Sequence, residues 1–324
     1  MRIYKAGETL PEGAAITIGN FDGIHRAHQF IVAELKDTAR KLSLRTGLVT
    51  FEPSPQFVIH QEFQYILTPL EEKKERLAAL ELDFLYVIPF NQRLRATPAE
   101  AFLKELILDI LKPRWIVVGY DHRFGNDRQG DTELITALSR QYQFELLVCP
   151  EFMLAGAAVK STRIRERLVL GAVHQAAELL GYRYSLAGRI VRGRGLGTQI
   201  GFPTLNIEPL ATEKLIPAPG VYAVYARFEG QDRPAVMNIG FRPTFSGTTQ
   251  TLEIHILDFD DQVHEQILAV SFVDRLRPER KFDSAITLKR QIALDVKKAR
   301  EVLAKDASVP PTPGAQLHSL SATG

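Results

Sequence analysis

"ITIGNFDGIHRAHQF", residues 16–30, is the stretch whose reading decides the fold. An apolar run ends in Gly-Asn-Phe-Asp-Gly, and two histidines, His25 and His28, follow three residues apart. The continuous apolar run reads as a strand buried on both faces. The Phe30, Ile31, Leu35, Ala39 and Leu42 that follow recur at helical spacing. A strand that feeds a helix through a tight turn is the repeating unit of a parallel sheet. The stretch therefore predicts an α/β layer whose ligands sit at the carboxyl ends of its strands.

The neighbouring segments continue the alternation. "RTGLVTFEP", "DFLYVIPF", "PRWIVVGY" and "FELLVCP" read as strands. "PLEEKKERLAALEL", with Thr68 as N-cap, "TPAEAFLKELILDIL", with Thr97 as N-cap, and "DTELITALSRQYQ" read as helices. Gly19-Asn20-Phe21-Asp22, Phe51-Glu52-Pro53 and Gly119-Tyr120-Asp121 then fall at strand ends and converge on one rim. "STRIRERLVLGAVHQAAELLG" predicts two closing helices with Gly181 as C-cap. After it the period changes to two, in "YSLAGRIVRG", "GVYAVYARFEG", "DRPAVMNIGF", "TLEIHILDF" and "ILAVSFVDRLRP". This pattern predicts an antiparallel barrel or sandwich. A last helix is expected over residues 284–303. The organisation expected is one domain over 1–181, a second over 182–304, and a Pro/Ser/Ala-rich tail over 305–324.

The bulk properties exclude some classes. With 324 residues the chain holds two ordinary domains, and its formal net charge of +2 gives no field to attract nucleic acid or a membrane surface. The single cysteine, Cys149, allows no internal disulfide. The N-terminus lacks the apolar core of a secretory signal, so a cytoplasmic location is expected.

Imidazoles at positions i and i+3 of a first helical turn face the same way, towards the free N–H groups and the positive helix end. Such a site suits an anion, most simply a nucleotide triphosphate. A surface pair and a metal site remain as alternatives, although no cysteine or third histidine stands nearby to favour a metal. In the second half, the glycines of "GRGLGTQIGFPTLNI", 193–207, mark either a hairpin connection or a loop passing close to a ligand. Thr204 and Asn206 stand two residues apart and share a face of an extended strand. "TLEIHILDF" sets Leu252, Ile254 and Ile256 on one face and Glu253 and His255 on the other.

Together these motifs resemble one family, the bacterial bifunctional riboflavin kinase / FAD synthetases. "GNFDGIHRAH" resembles its nucleotidyltransferase signature and "STRIR" a second signature. "FEPSP", "VGYDHRFGNDRQGD", "GFPTLN", "NIGFRPTF" and "RPERKFDS" resemble further landmarks. The resemblance implies a Rossmann-like nucleotidyltransferase domain with a parallel sheet, followed by an antiparallel β-barrel kinase domain with a terminal helix. It implies phosphorylation of riboflavin to FMN and adenylylation of FMN to FAD, with ATP as co-substrate and Mg²⁺ as cofactor.

By the same resemblance, Gly19, Asn20, Phe21 and Asp22 shape the ATP pocket, and His25 and His28 hold the phosphates and stabilise the leaving pyrophosphate. Ser161, Thr162 and Arg165 grip the triphosphate, and Asp121 and Arg123 lie on the FMN or metal side. In the kinase, Thr204 and Asn206 ligate magnesium and Glu253 is the general base. Gly195, Gly197, Gly201, Pro203, Arg242 and Arg277 contact ATP or flavin. Partners are the small molecules riboflavin, FMN and ATP, and oligomerisation stays open. Ala27, Ser54 and Lys160 stand where relatives carry other residues. They leave open a kinase with a weakened adenylyltransferase; a flavin- or nucleotide-binding module without turnover is the other alternative.

Overall fold

The computed structural model describes residues 1–5, 7–8, 12–59, 65–193, 196–244, 247–259, 263 and 267–307. The chain divides into two compact units, Met1–Ser161 and Thr162–Gly324.

The first unit is built on a six-stranded, wholly parallel sheet of β1 (Arg2–Lys5), β2 (Ala15–Ile18), β3 (Thr46–Glu52), β4 (Phe84–Pro89), β5 (Trp115–Gly119) and β6 (Glu145–Cys149). The spatial order is β1-β4-β3-β2-β5-β6, which places β2 between β3 and β5. Alternate residues of one strand enter different cores. Ile16 and Ile18 pack with Phe51, Tyr86, Leu103 and Ile116, whereas Ala15 packs with Val32, Leu35 and Leu48 beneath the helix Arg26–Leu42. Burying a Leu or Ile side chain fully is worth about 1.5–3 kcal/mol, so coverage of both faces selects a strand here. A small hairpin, β7 (Met153–Leu154) and β8 (Ala157–Ala158), follows the sheet.

The second unit begins with the helices Ser161–Val169 and Val173–Leu180. The second ends on Gly181 in the left-handed region, as expected. A closed barrel follows, formed by β9 (Ser185–Val191), β10 (Leu205–Pro209), β11 (Gly220–Phe228), β12 (Gln231–Thr244), β13 (Gly247–Ile256) and β14 (Ile267–Pro278). Its order is β10-β13-β12-β11-β14-β9, with every pairing antiparallel. Closure leaves no free edge, and this resolves the choice between barrel and sandwich. The terminal helix, Ala285–Ala307, lays Ala299 and Leu303 on Val221, Ala223 and Val236. Among the described residues no helix is long and apolar enough to cross a membrane.

Several local expectations need correction. The helix Leu70–Ala79 has Pro69, not Thr68, at its N-cap. The Thr68 hydroxyl instead accepts the Gly23 N–H at 2.8 Å, so a long-range contact displaces the cap. Thr97 does not cap its helix either; Pro98 takes that place and the Thr97 hydroxyl donates back to Arg93 O at 3.0 Å. That helix carries a π segment, Phe102–Leu108, between the α pieces Ala99–Ala101 and Asp109–Leu111. β1 and the small hairpin were not anticipated. The terminal helix takes in residues 305–307 of the expected tail, and 308–324 lie outside the described residues.

Candidate functional sites

At the first site, β2 ends in a turn with two unusual residues: Phe21 at φ 50° and Ile24 at φ 36°, both left-handed. Non-glycine residues hold such angles only where surrounding contacts over-determine them. Those contacts are visible. One carboxylate oxygen of buried Asp22 accepts the N–H groups of Leu67 (2.9 Å) and Thr68 (3.0 Å). Gly23 N–H goes to Thr68, and Ser161 Oγ donates to Asp22 O at 2.7 Å. The Asn20 amide donates to Ser54 Oγ at 3.0 Å, and Asn20 O accepts from Lys73 Nζ at 2.7 Å and Thr50 Oγ1 at 3.2 Å.

The turn delivers His25 as the N-cap residue and His28 in the first turn of the helix Arg26–Leu42. Their rings stack with centroids 3.7 Å apart and 15° between planes, and Phe21 lies 4.7 Å from the His28 ring. No acidic residue occupies this first helical turn. Burial pushes the His28 imidazole well below its usual 6.5, and the neighbouring His25 and Lys73 add to the fall. Among the described residues, buried Nδ1 of His28 and Oδ1 of Asn20 have no hydrogen-bond partner. A stacked imidazole pair at a helix N-terminus without acid suits a negatively charged group, while Asn20 Oδ1 can only accept a hydrogen bond.

Other predicted residues of this half have partners of their own. Asp121 pairs with Lys160 at 3.3 Å, and Lys160 also lies over the Tyr120 ring, whose hydroxyl donates to Glu151. Arg123 pairs with Asp131 at 2.9 Å, while Asp131 caps the helix Thr132–Tyr142 through the N–H groups of Glu133 and Leu134. Thr162 and Arg165 follow Ser161 on the helix Ser161–Val169 and fall in the second unit. Ala27 stands in the first turn of its helix, with no left-handed angle that would call for glycine.

At the second site, β13 lies between β10 and β12, and the register sets Asn206 and Asn238 on either side of Glu253. Residues opposite one another on a ladder point to the same face. Glu253 Oε1 accepts from Arg242 Nη2 at 3.0 Å. The alternation along β13 is as expected: Leu252, Ile254 and Ile256 are buried, and Glu253 and His255 are not. His255 Nδ1 lies 2.8 Å from Pro203 O, so this nitrogen carries the proton and ties the segment before β10 to β13. A Cβ at Gly193 would collide with the Asn206 amide, and one at Gly197 with Phe202 O and the Thr204 hydroxyl. Glycine at these two places lets the backbone close over the oxygen-bearing side chains.

Gly201 adopts φ +85°, and Gly195 lies outside the described residues. Arg277 is engaged by Asp295 of the terminal helix through three contacts of 2.8–3.1 Å, and lies 5.6 Å from the Phe282 ring centre. Among the described residues no group of three or more His, Cys, Asp or Glu could hold a metal ion. Asn206 stands opposite Glu253 on the β10–β13 ladder.

The sequence reading singles out neither Lys73 nor Thr50, which meet at the Asn20 carbonyl. Lys73 stands in "EEKKER", which reads as a solvated charge run. The available signal was its spacing, because it occupies the stripe of Leu70, Leu77 and Leu80.

Known proteins supply an independent comparison. Residues 8–163 match the FAD synthetase family and residues 180–303 the riboflavin kinase family. The bifunctional riboflavin kinase/FMN adenylyltransferase of Escherichia coli K12 is 36% identical over 301 residues, covering 92% of this chain and 96% of that one. The protein of the same name from Pseudomonas fluorescens is 36% identical, covering 91% and 94%. A solved structure described as a macrolide-efflux protein from Streptococcus pneumoniae superposes with a TM-score of 0.85 at 28% identity, covering 93% of this chain and 99% of that one.

Proposed function

The chain belongs to the bifunctional riboflavin kinase/FMN adenylyltransferase family, and from that premise we propose how its residues divide the two reactions. It phosphorylates riboflavin to FMN and joins FMN to the adenylyl group of ATP.

Adenylyl transfer is assigned to the first unit. A phosphate oxygen of FMN attacks the α-phosphorus of ATP, the bond to the bridging oxygen breaks, and pyrophosphate leaves. No covalent nucleophile is needed; the charge developing on the leaving group must be neutralised. His25 and His28 face that group, and the positive end of their helix adds to the field. The phosphate anion favours proton uptake on His28, which burial keeps neutral beforehand. Asn20 and Asp22 shape the nucleotide pocket, with Gly19 and Phe21 in the same turn. Ser161 closes on this turn from the head of its own helix. Thr162 and Arg165 join as triphosphate ligands on the ground of the "STRIR" motif, and Asp121 and Arg123 as groups on the FMN side.

Phosphorylation is assigned to the second unit. The ribityl 5′-hydroxyl attacks the γ-phosphorus, its proton passes to Glu253, and ADP leaves. Arg242 orients the Glu253 carboxylate. Thr204 and Asn206 would hold Mg²⁺, which would offset the negative charge of the ATP phosphates. Gly197, Gly201 and Pro203 form the loop over the nucleotide, and Arg277 belongs to the flavin side. The substrates ATP, riboflavin and FMN fit a cytoplasmic setting.

The observation that carries this reading is the stacked His25–His28 pair at a helix N-terminus without acidic residues, with a buried His28 nitrogen that has no partner among the described residues. The experiment is a time course with riboflavin, Mg²⁺ and ATP in which FMN and FAD are followed separately. FMN should rise first and FAD after it. Substituting His28 should stop the second product alone.

A further inference from the structure

Lys73 ends beneath the turn that carries the stacked histidines, and neither reaction above uses it. It is 2% exposed. Its Nζ donates to Asn20 O at 2.7 Å and to Thr50 Oγ1 at 3.3 Å, and Thr50 Oγ1 donates to the same Asn20 carbonyl at 3.2 Å. Two donors thus converge on the peptide oxygen just before Phe21, the first of the two left-handed residues. Asn20 is also the residue whose buried Oδ1 has no partner among the described residues.

An ammonium at this position is costly. Its helix offers the place to an apolar side chain, in line with Leu70 and Leu77, and burial of a charge is unfavourable unless it is paired. The charged and titratable groups that act on it are the Asp22 and Glu52 carboxylates, with His28, and His25 beyond it, on the other side. Burial lowers the Lys73 ammonium from its usual value and the two carboxylates oppose that fall. The acceptors it finds, Asn20 O and Thr50 Oγ1, tie it to the turn that carries the histidines.

We propose that Lys73 is a positioning residue for adenylyl transfer: it holds the Asn20 carbonyl, and with it the Gly19–Asp22 turn, and sets a fixed positive charge behind the histidine pair. The proposal rests on the reading of the first site given above. The same charge helps to keep His28 neutral until an anion arrives.

The test compares Lys73→Met and Lys73→Gln with the wild-type full chain. Three readouts are taken: FAD formed from FMN, FMN formed from riboflavin, and the His28 ring titration followed by NMR. Met removes both charge and donor; Gln keeps a donor and loses the charge. The Met variant should lose about 10²-fold in kcat for FAD, the scale of a displaced reacting group, with Gln in between. FMN formation should match the wild type in both, and the His28 titration should move up towards 6.5. Folded variants that make FAD within about twofold of wild type, or leave the His28 titration unmoved, overturn the proposal. So does failure of both variants to fold, since the lysine then serves the fold alone. A wild-type chain that makes no FAD sinks the reading of the first site instead, and the His28 titration still decides on Lys73.

Discussion

Asn206 and Glu253 stand opposite one another across the β10–β13 ladder, and Arg242 holds the Glu253 carboxylate at 3.0 Å from the neighbouring strand. Strand register, not sequence proximity, brings an amide oxygen, a carboxylate and a guanidinium onto one patch. Glu253→Gln keeps the shape and removes the proton acceptor. FMN formation should fall about 10²–10⁴-fold with riboflavin binding retained, and FAD formation from added FMN should be unchanged. Equal FMN formation in the variant would remove Glu253 from its role.

Thr204 and Asn206 offer neutral oxygens rather than carboxylates, so their hold on a cation is expected to be modest. Thr204→Val keeps the volume and removes one oxygen. The Mg²⁺ concentration for half-maximal FMN formation should rise about tenfold or more. Chelation should abolish kinase turnover, and Mg²⁺ should restore it. A Mg²⁺ titration identical to wild type would show that Thr204 is no ligand.

His28→Gln retains a polar side chain but cannot carry a positive charge. FAD formation should fall about 10²–10³-fold, the scale for losing one group that stabilises developing charge. FMN should accumulate at the wild-type rate. The check is to quantify both flavins in one reaction; a parallel fall of both products would point to a folding defect.

Asp22 is buried, and the N–H groups of Leu67 and Thr68 depend on its carboxylate. Hydrogen bonds to a charged group are worth about 1.5–3 kcal/mol, so Asp22→Ala should destabilise the first unit by at least that much. It should also loosen the Phe21 turn, so FAD formation drops along with stability. Thermal unfolding measured beside activity tests this, and an unchanged Tm would contradict it.

Stability should fall in acid for a specific reason. In the folded chain His28 titrates well below 6.5 and His122, stacked on Phe124, at about 4. The unfolded chain takes up these protons near 6.5, so below 6.5 the unfolded state binds more of them, for His122 down to about 4. Their contribution is complete above 6.5 and is lost as pH falls through this window. His122→Phe should flatten the decline of Tm with pH; a slope identical to wild type would exclude His122 as a source.

Most of the element types could be read along the chain, because hydrophobic period is a local property. The alternation of helix and strand, the switch to period two after Gly181, and the apolar face of β13 all follow from residue spacing alone. Where the reading went astray, a distant partner had intervened. Thr68 has the chemistry of a cap, but Gly23, 45 residues away, claims its hydroxyl.

Residue spacing carries the strand–helix alternation of the first half and the period-two strands of the second, because neighbours along the chain hold that pattern in full, whereas the residues assigned to the two sites rest on motif resemblance. Only the tertiary structure decided that His25 and His28 stack, that Lys73 supports their turn, and that Glu253 stands opposite Asn206 and is held by Arg242. Those relationships depend on strand order and register, and long-range packing alone sets both.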